Sequence, residues 1–573
     1  MGNNMRKWQI RGAAVILLLL LMAAAGGVTA PVYYLNDDVT MRSIVSGAYT
    51  GTPDGHAVYM KYPLTFLLAG LYRLSGGLGI RVPWFDLLLA GCILLAGAGI
   101  LIGCWEAMAE KGLRLQLLWG LTGVLVFAGL LLPQYLYLHY TIVAALLAGS
   151  ALFLWGNGSK RGLSLVLLGL CYLVRSQVFF LSLPFLLVAV LDGLLRAGKA
   201  GLRQEAGKQG RALLLLAVMT VLFWGIHSIG YGSEAWQSYE KYNDSRTALY
   251  DYTDFLSTDR YQESYEELGL TWEQYLVLSY YDTMLDPTID AGVLDQAVQQ
   301  IREQKEEVPA GGYLKQCLQA YYRHARYDGR PYSLVWLGCY GILVLLLVFH
   351  KNWVRLLLTG ALAAGRSLIW IYLIAQGRFP ERIWISLYLL EILLLMGMLL
   401  RESRENGGKP IGSRQQWLTG GVAVLCLALF GAVAPGQLQE ADRRAQEQRR
   451  KQTEWEILTD SLEEQGGTLY LMDVFSAVAY AGKLYEADDG QVMLLGGWLT
   501  RSPLAQQRLA QYGAGDAAEA LLRPGVYLAA AKERDMTWLQ SYLEKRLGEV
   551  RLQERESIAC GEDAAFVIYQ LIQ

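Results

Sequence analysis

Charge is what this sequence has little of. Asp, Glu, Lys and Arg make up 18% of its 573 residues, where a soluble domain carries roughly 25%. Hydrophobic residues make up 53%, and they gather into runs of about 17–22 residues, the length that spans a bilayer. A soluble cytoplasmic protein is thereby excluded, and the roughly four globular domains that length alone suggests do not apply. An excess of charge of either sign is also missing. The 50 basic and 52 acidic residues leave a net charge of −2, which excludes a nucleic-acid binder led by charge. Cysteine is scarce and scattered. Cys92, Cys104, Cys171, Cys339 and Cys426 lie in or beside apolar runs, and only Cys317 and Cys560 fall in segments expected outside. They form no disulfide framework and read as unpaired thiols. The sequence has no CxxC, HExxH, Walker or GxGxxG motif in a fitting context, so a self-powered ABC-type pump is excluded.

What is present is a membrane map. The first apolar run, Gly12 to Ala30, follows Arg6, Lys7 and Arg11. Val28-Thr29-Ala30 resembles a cleavage box, but Pro31 disfavours cleavage, and the run reads as an uncleaved signal anchor. Further runs follow at about 84–105, 115–132, 141–156, 162–174, 178–195, 212–230, 332–349, 356–375, 383–400 and 416–434, about eleven spans in all. Residues 63–74 are apolar but short, and fit a re-entrant or interfacial helix. With the N-terminus inside, the inner loops hold Lys111, Arg114, Lys160, Arg161, Arg196, Lys199, Arg203, Arg355, Arg401 and Arg404, among others. The short outer loops hold fewer, among them Arg42, Lys61, Arg175, Arg378 and Arg382. That is the positive-inside bias. It places the N-terminus in the cytoplasm of a multi-pass cell-membrane protein and the C-terminal segment outside.

Three outer pieces follow: a loop at 33–83, a Tyr-rich and acidic loop at 231–331, and the tail. The division expected is a transmembrane domain over 1–435, with both loops, and an extracytoplasmic soluble domain over 436–573. The tail opens with a charged helical stretch, Gln437 to Glu464. It then alternates strand-like runs (Thr468–Asp473, Gly525–Ala531, Ala564–Leu571) with helical runs (Pro503–Tyr512, Met536–Leu547), the pattern of a small α/β domain.

The strongest chemical signal is Asn36-Asp37-Asp38, just outside the first span. Two adjacent carboxylates at a membrane surface repel each other and cost desolvation, unless they bind a metal, pair with cations or act on a proton. Asp37 and Asp38 are therefore candidate catalytic carboxylates and candidate ligands of a divalent metal ion. Alternatively, they are a solvated cap opening a helix at Val39. In the same loop, His56, Tyr59 and Lys61 are weaker substrate-binding candidates, and His56 reads equally as a polar surface residue. The outer arginines Arg175, Arg378 and Arg382 run against the charge trend. An arginine fork fits phosphate oxygens, so these three are candidate phosphate-binding residues, with an ion pair to Glu381 or contact with lipid head groups as the plainer reading. Trp236, Tyr239, Tyr242, Asn243, Arg246 and Tyr250 cluster after the seventh span. Tyr242 and Arg246 there suit a sugar ring, or the cluster is a Tyr-rich helical subdomain on the membrane surface. Glu106, Asp192 and His227, near span ends, are expected to face water or head groups.

This layout resembles the GT-C superfamily of polytopic membrane glycosyltransferases, which includes protein O-mannosyltransferases and lipid A aminoarabinose transferases. The resemblance covers roughly 1–400 by layout and Asn36-Asp37-Asp38 by motif. It implies a polyprenyl-phosphate-linked sugar as donor, Asp37 or Asp38 as the catalytic carboxylate, and Arg378 or Arg382 at the donor phosphate. It also implies an envelope glycan, lipid or protein as the acceptor, direct displacement at the anomeric carbon, and no nucleotide site or nucleic-acid partner. Metal dependence varies within the superfamily. A surface-glycan polymerase or ligase, a transporter of lipid-linked glycans, and a membrane scaffold are the competing readings. The transporter requires ionisable residues deep in the membrane, where Arg366 is the main exception to nearly charge-free spans.

Overall fold

The computed structural model describes residues 2–257, 262–304, 310–404, 413–464, 469–486, 490–561 and 565–573. Thr468 and Ala564, the expected first residues of two strands, lie outside the described residues. The membrane part begins with α1 (Gly2–Val28), α2 (Asn36–Ser46), α3 (Tyr62–Gly77), α4 (Trp84–Ala107), α5 (Leu113–Val126), α6 (Leu132–Leu136), α7 (Tyr140–Gly156), α8 (Arg161–Val174) and α9 (Ser176–Gly230). The large loop expected outside, called the outer loop below, holds α10 (Glu234–Tyr252), α11 (Trp272–Ser279), α12 (Ala291–Gln304) and α13 (Ala310–Arg323), and the apolar helices resume with α14 (Tyr332–Phe349), α15 (Trp353–Ala375), α16 (Glu381–Arg404) and α17 (Ser413–Glu464).

Each of the eleven expected runs is helical over nearly all its length: the run at 115–132 is α5 continued through a wider π turn, Phe127–Leu131, into α6, and the first ends with α1 at Val28. Eight helices among the described residues are long and apolar enough to cross a membrane. One of them, α9, is two helices joined at Gly198, whose backbone leaves the helical region at φ +58°. The shorter α7 and α8 are apolar as well. The chain is a helical polytopic membrane protein with a small α/β unit at its C-terminal end.

At the centre, α7 is buried at every residue, as expected of a helix apolar on all sides. It packs on α16 through small residues. Gly149 and Gly156 face Leu393 and Leu394, and Gly397 lies against the Phe153 carbonyl, the close approach that small side chains allow between apolar helices. One face carries linked ion pairs. Glu106 meets Arg11 and Lys160, each at 2.9 Å. Asp192 meets Arg196 and Arg355, each at 2.7 Å, and Glu402 joins Arg196 at 3.0 Å, His350 at 2.6 Å and Arg355. The expectation that Asp192 faces water is corrected: it is fully buried, held by two guanidinium groups. His227, too, is engaged, accepting the Tyr62 backbone N–H at 3.2 Å.

The tail forms one sheet. Its strands are β3 (Leu469–Met472), β4 (Val492–Leu494), β5 (Val526–Ala531), β6 (Arg551–Ala559) and β7 (Ala565–Ile572), ordered β4-β3-β5-β7-β6, the first three parallel and the last two antiparallel. Short helices α18 (Val474–Ala477), α19 (Pro503–Ala510), α20 (Ala517–Ala520) and α21 (Thr537–Leu547) complete it. A two-stranded parallel pair, β1 (Val32–Tyr33) with β2 (Tyr137–Leu138), joins the segment after α1 to the segment before α7.

The boundary expected at 435/436 falls inside α17, which runs unbroken through Pro435. The outer loop and the tail also share a core: Tyr242, Leu249, Leu278 and Leu294 pack with Leu469, Leu471, Trp538 and Leu543. Tyr280 stacks on Trp538 at 4.6 Å. The tail is tied to the first loop as well, through Tyr33 N–H to the Gly482 carbonyl (3.0 Å) and Leu484 N–H to the Pro31 carbonyl (3.2 Å).

Candidate functional site

Pairing of β1 with β2 brings residues 36–38 beside 137–140, and this short parallel pair builds the site. Helix α2 starts at Asn36, so Asp37 and Asp38 lie in its first turn rather than capping it, where the helix dipole favours negative charge. Asp38 is fully buried. Its Oδ1 accepts the Tyr140 backbone N–H at 3.0 Å, and its Oδ2 is buried with no hydrogen-bond partner among the described residues. Burial pushes the Asp38 carboxyl well above the usual carboxylate range; the Tyr140 N–H opposes this, Asp37 adds to it and Arg382 opposes it.

Asp37 lies on the wall of a cavity of about 400 Å³ between the first loop, the outer loop and the tail. Its Oδ1 accepts from the Trp498 indole N–H at 3.0 Å. Burial raises its carboxyl too, and Arg382, Arg175, the Trp498 bond and Arg246 pull the other way. The cavity is also lined by Arg42, Tyr49, Tyr59, Arg246, Tyr281, Arg378, Trp455 and Tyr480. Aromatic faces among charged and polar groups can take a sugar ring, which offers an apolar face and a rim of hydroxyls.

The arginines differ in how much of each remains for a ligand. Arg175 sits between α8 and α9, its guanidinium 5.0 Å from the Tyr59 ring and 5.3 Å from the Tyr140 ring. Its Nη1 is buried without a hydrogen-bond partner among the described residues. Arg378 lines the cavity but is paired to Asp251 at 2.5 Å. Arg246 is held by Asn243 Oδ1 (2.8 Å), Thr247 Oγ1 (2.7 Å) and the Tyr281 hydroxyl. The guanidinium of Arg382 makes no hydrogen bond or ion pair among the described residues. It lines a second cavity of about 490 Å³ with Arg330, Arg444, Glu381, Tyr34 and Trp384, and it acts on both Asp37 and Asp38. The ion pair expected between the 378–382 turn and Glu381 is not formed: Glu381 pairs with Arg444 at 2.8 Å.

Thus Asp37, Tyr59, Arg246 and Arg378 line one cavity, with Asp38, Arg175 and Arg382 within electrostatic reach. The other three candidates lie elsewhere. His56 has both ring nitrogens engaged, Nδ1 with Asp54 Oδ1 (2.6 Å) and Nε2 with the Gly230 carbonyl (3.0 Å), and it stacks on Trp236. Lys61 lines a separate small cavity with His227 and Glu240. Tyr242 is buried in the outer-loop core, bonded to Thr283 Oγ1 at 2.8 Å.

Sequence reasoning missed two members. His139 is buried beside Tyr140 and caps α7, its Nδ1 accepting the Thr141 N–H at 3.0 Å, while Nε2 has no hydrogen-bond partner among the described residues. Burial first, then Arg382 and Arg175, holds the imidazole neutral. An ionisable residue at the outer end of an apolar run was the available signal. Trp498 carries no such signal. Its distance from Asp37 in sequence, 461 residues, hides the contact.

A divalent metal ion fits these residues poorly. Asp37 and Asp38 offer two carboxylates among three guanidinium groups, and no group of three or more His, Cys, Asp or Glu suited to a metal occurs among the described residues.

Fold and site together define a polytopic membrane protein whose C-terminal α/β unit closes over an acidic pair and over arginines that have no acidic partner among the described residues, at one end of the helix bundle. Among solved structures, the chain is similar to the crystal structure of ArnT from Cupriavidus metallidurans bound to undecaprenyl phosphate, at 12% identity and a TM-score of 0.37, covering 97% of each chain. No protein-family model matches the sequence, and no curated protein matches it.

Proposed function

We propose that this protein is an integral membrane glycosyltransferase of GT-C type. It moves a sugar from a polyprenyl-phosphate carrier to a hydroxyl of an envelope glycan, lipid or protein on the outer face of the cell membrane. The observation that carries the reading is Asp37 on the wall of an aromatic-lined cavity, with Arg175 and Arg382 in electrostatic reach and no acid paired to either among the described residues.

In this reading the Asp37 carboxylate accepts the proton of the acceptor hydroxyl. The freed oxygen attacks the anomeric carbon, and the bond from that carbon to the phosphate oxygen breaks. The polyprenyl phosphate leaves with the bonding pair, its charge met by arginine. One displacement inverts the anomeric configuration. Arg175 and Arg382 are the better phosphate ligands, because Arg378 already neutralises Asp251. Asp38, bonded to the Tyr140 backbone, fixes α2 against the start of α7 and keeps Asp37 at the cavity. No step uses a metal ion.

The test is a comparative glycan profile. The gene is deleted in its host, and wild type or D37A/D38A is supplied. Envelope polymers and lipid-linked sugars are then measured by mass spectrometry. A sugar restored by wild type only, with its polyprenyl-phosphate precursor accumulating in the variant, supports the reading. Full restoration by the double variant sinks it.

Transport of a lipid-linked glycan is the second reading. The buried Arg366–Glu391 pair, 3.3 Å apart within the spans, favours it. It requires loss of flux across vesicles in R366L/E391L and unchanged flux in D37N.

A further inference from the structure

Trp498 reaches the acidic pair from the far end of the chain, and several contacts hold it there. Its indole N–H donates to Asp37 Oδ1 at 3.0 Å. Its carbonyl accepts the Tyr239 hydroxyl at 2.5 Å, and its ring lies 4.9 Å from that of Tyr59, which also lines the cavity. The turn that delivers it is Leu495-Gly496-Gly497. Leu495 is pinned on both sides, its N–H on the Met472 carbonyl (2.9 Å) and its carbonyl accepting the Met284 N–H (2.8 Å). A Cβ at Gly496 would stand 1.7 Å from the Tyr281 carbonyl oxygen. Gly497 takes φ +91°, which favours glycine. Both glycines are needed for the turn to pass this close to the outer loop.

An indole N–H only donates. It therefore favours the charged carboxylate as acceptor over the protonated acid. It also occupies one oxygen, leaving Asp37 Oδ2 without a hydrogen-bond partner among the described residues. We propose that Trp498 is a positioning residue for the reaction at Asp37, so that the C-terminal unit contributes a side chain to the active site rather than merely covering it. This inference rests on the reading of Asp37 as the base.

The experiment uses the full chain in nanodiscs. W498F keeps the ring and removes the donor. It is expected to lower kcat about tenfold, leave the donor KM within about twofold, and move the acidic limb of the pH–rate profile upward by about one unit. A structural role alone would not move the limb. Independently of any substrate, the wild type minus D37N ultraviolet resonance Raman difference isolates the indole bonded to Asp37. Its hydrogen-bond-sensitive band is expected to change as pH carries Asp37 through its titration. An unshifted limb in W498F, or a difference band that does not titrate, overturns the proposal, and the band decides if W498F does not fold. A titrating band in a protein that transfers no sugar from any polyprenyl-phosphate donor supports the contact and overturns the glycosyltransfer reading.

Discussion

Asp38 Oδ1 accepts the backbone N–H of Tyr140 at 3.0 Å, joining the first turn of α2 to the start of α7 across 102 residues of sequence. The contact holds the two adjacent carboxyls in different states: Asp38 is fully buried and bonded to backbone, while Asp37 faces the cavity.

That difference separates the two asparagine variants. D37N is expected to lower transfer about 10²- to 10⁴-fold, the range for loss of a general base. In the wild type, the acidic limb of the pH–rate profile is expected above the ordinary Asp range of about 3.9, because burial raises the Asp37 carboxyl. Initial rates between pH 4 and 9 check both.

D38N keeps an oxygen for the Tyr140 N–H and removes a buried charge. A carboxyl whose folded-state pKa is raised contributes stability at low pH that is lost as pH rises through that value. D38N is therefore expected to melt above wild type at pH 8, with the gap closing toward pH 4. Thermal midpoints across that range, read beside activity, test it.

The arginines should separate by their existing partners. R175A and R382A each remove an unpaired guanidinium, and each is expected to raise the donor KM roughly tenfold or more. R378A should have a smaller effect, because Arg378 is already paired with Asp251. Titration of a polyprenyl-phosphate-sugar donor at saturating acceptor measures this. Equal effects of all three would move the phosphate site.

Asp282 of the outer loop is fully buried, its Oδ1 accepting the Val474 N–H at 3.2 Å. Burial and the neighbouring Asp473 push its carboxyl well up, and Arg534 holds Asp473 at 2.9 Å. By the same sign argument, D282N is expected to raise the thermal midpoint by a few degrees at pH 8 and by less at pH 5. Hydrogen exchange at Met472–Ala477 should slow in parallel.

Arg366 and Glu391 are buried within the spans, 3.3 Å apart, with the guanidinium 3.9 Å from the Trp370 ring and 4.5 Å from Trp336. Removing one partner leaves an uncompensated charge. R366L or E391L is therefore expected to cost about 3–5 kcal/mol, and R366L/E391L together to recover most of it. Unfolding in detergent against denaturant measures the cycle.

The sequence by itself determined the spans, because hydropathy over some twenty residues is a local property set by the cost of placing polar groups in lipid. It also marked helix α3, strands β3, β5 and β7, and helices α19 and α21, each signalled by its own residues. β4, Val492–Leu494, is apolar but only three residues long, and β6, Arg551–Ala559, is charged along its length, so neither gave a strand-length apolar pattern. Asp37, Asp38 and Arg175 stood out for a similar reason, as charges where the local trend disfavours them. Tertiary structure alone decided which of those charges are free. Asp251 neutralises Arg378, and Asp54 and the Gly230 carbonyl occupy His56. It also decided that the tail closes over the first loop, placing Trp498 against Asp37. Contacts between residues hundreds of positions apart are set by how helices and sheet pack together, and no local pattern of residues encodes them.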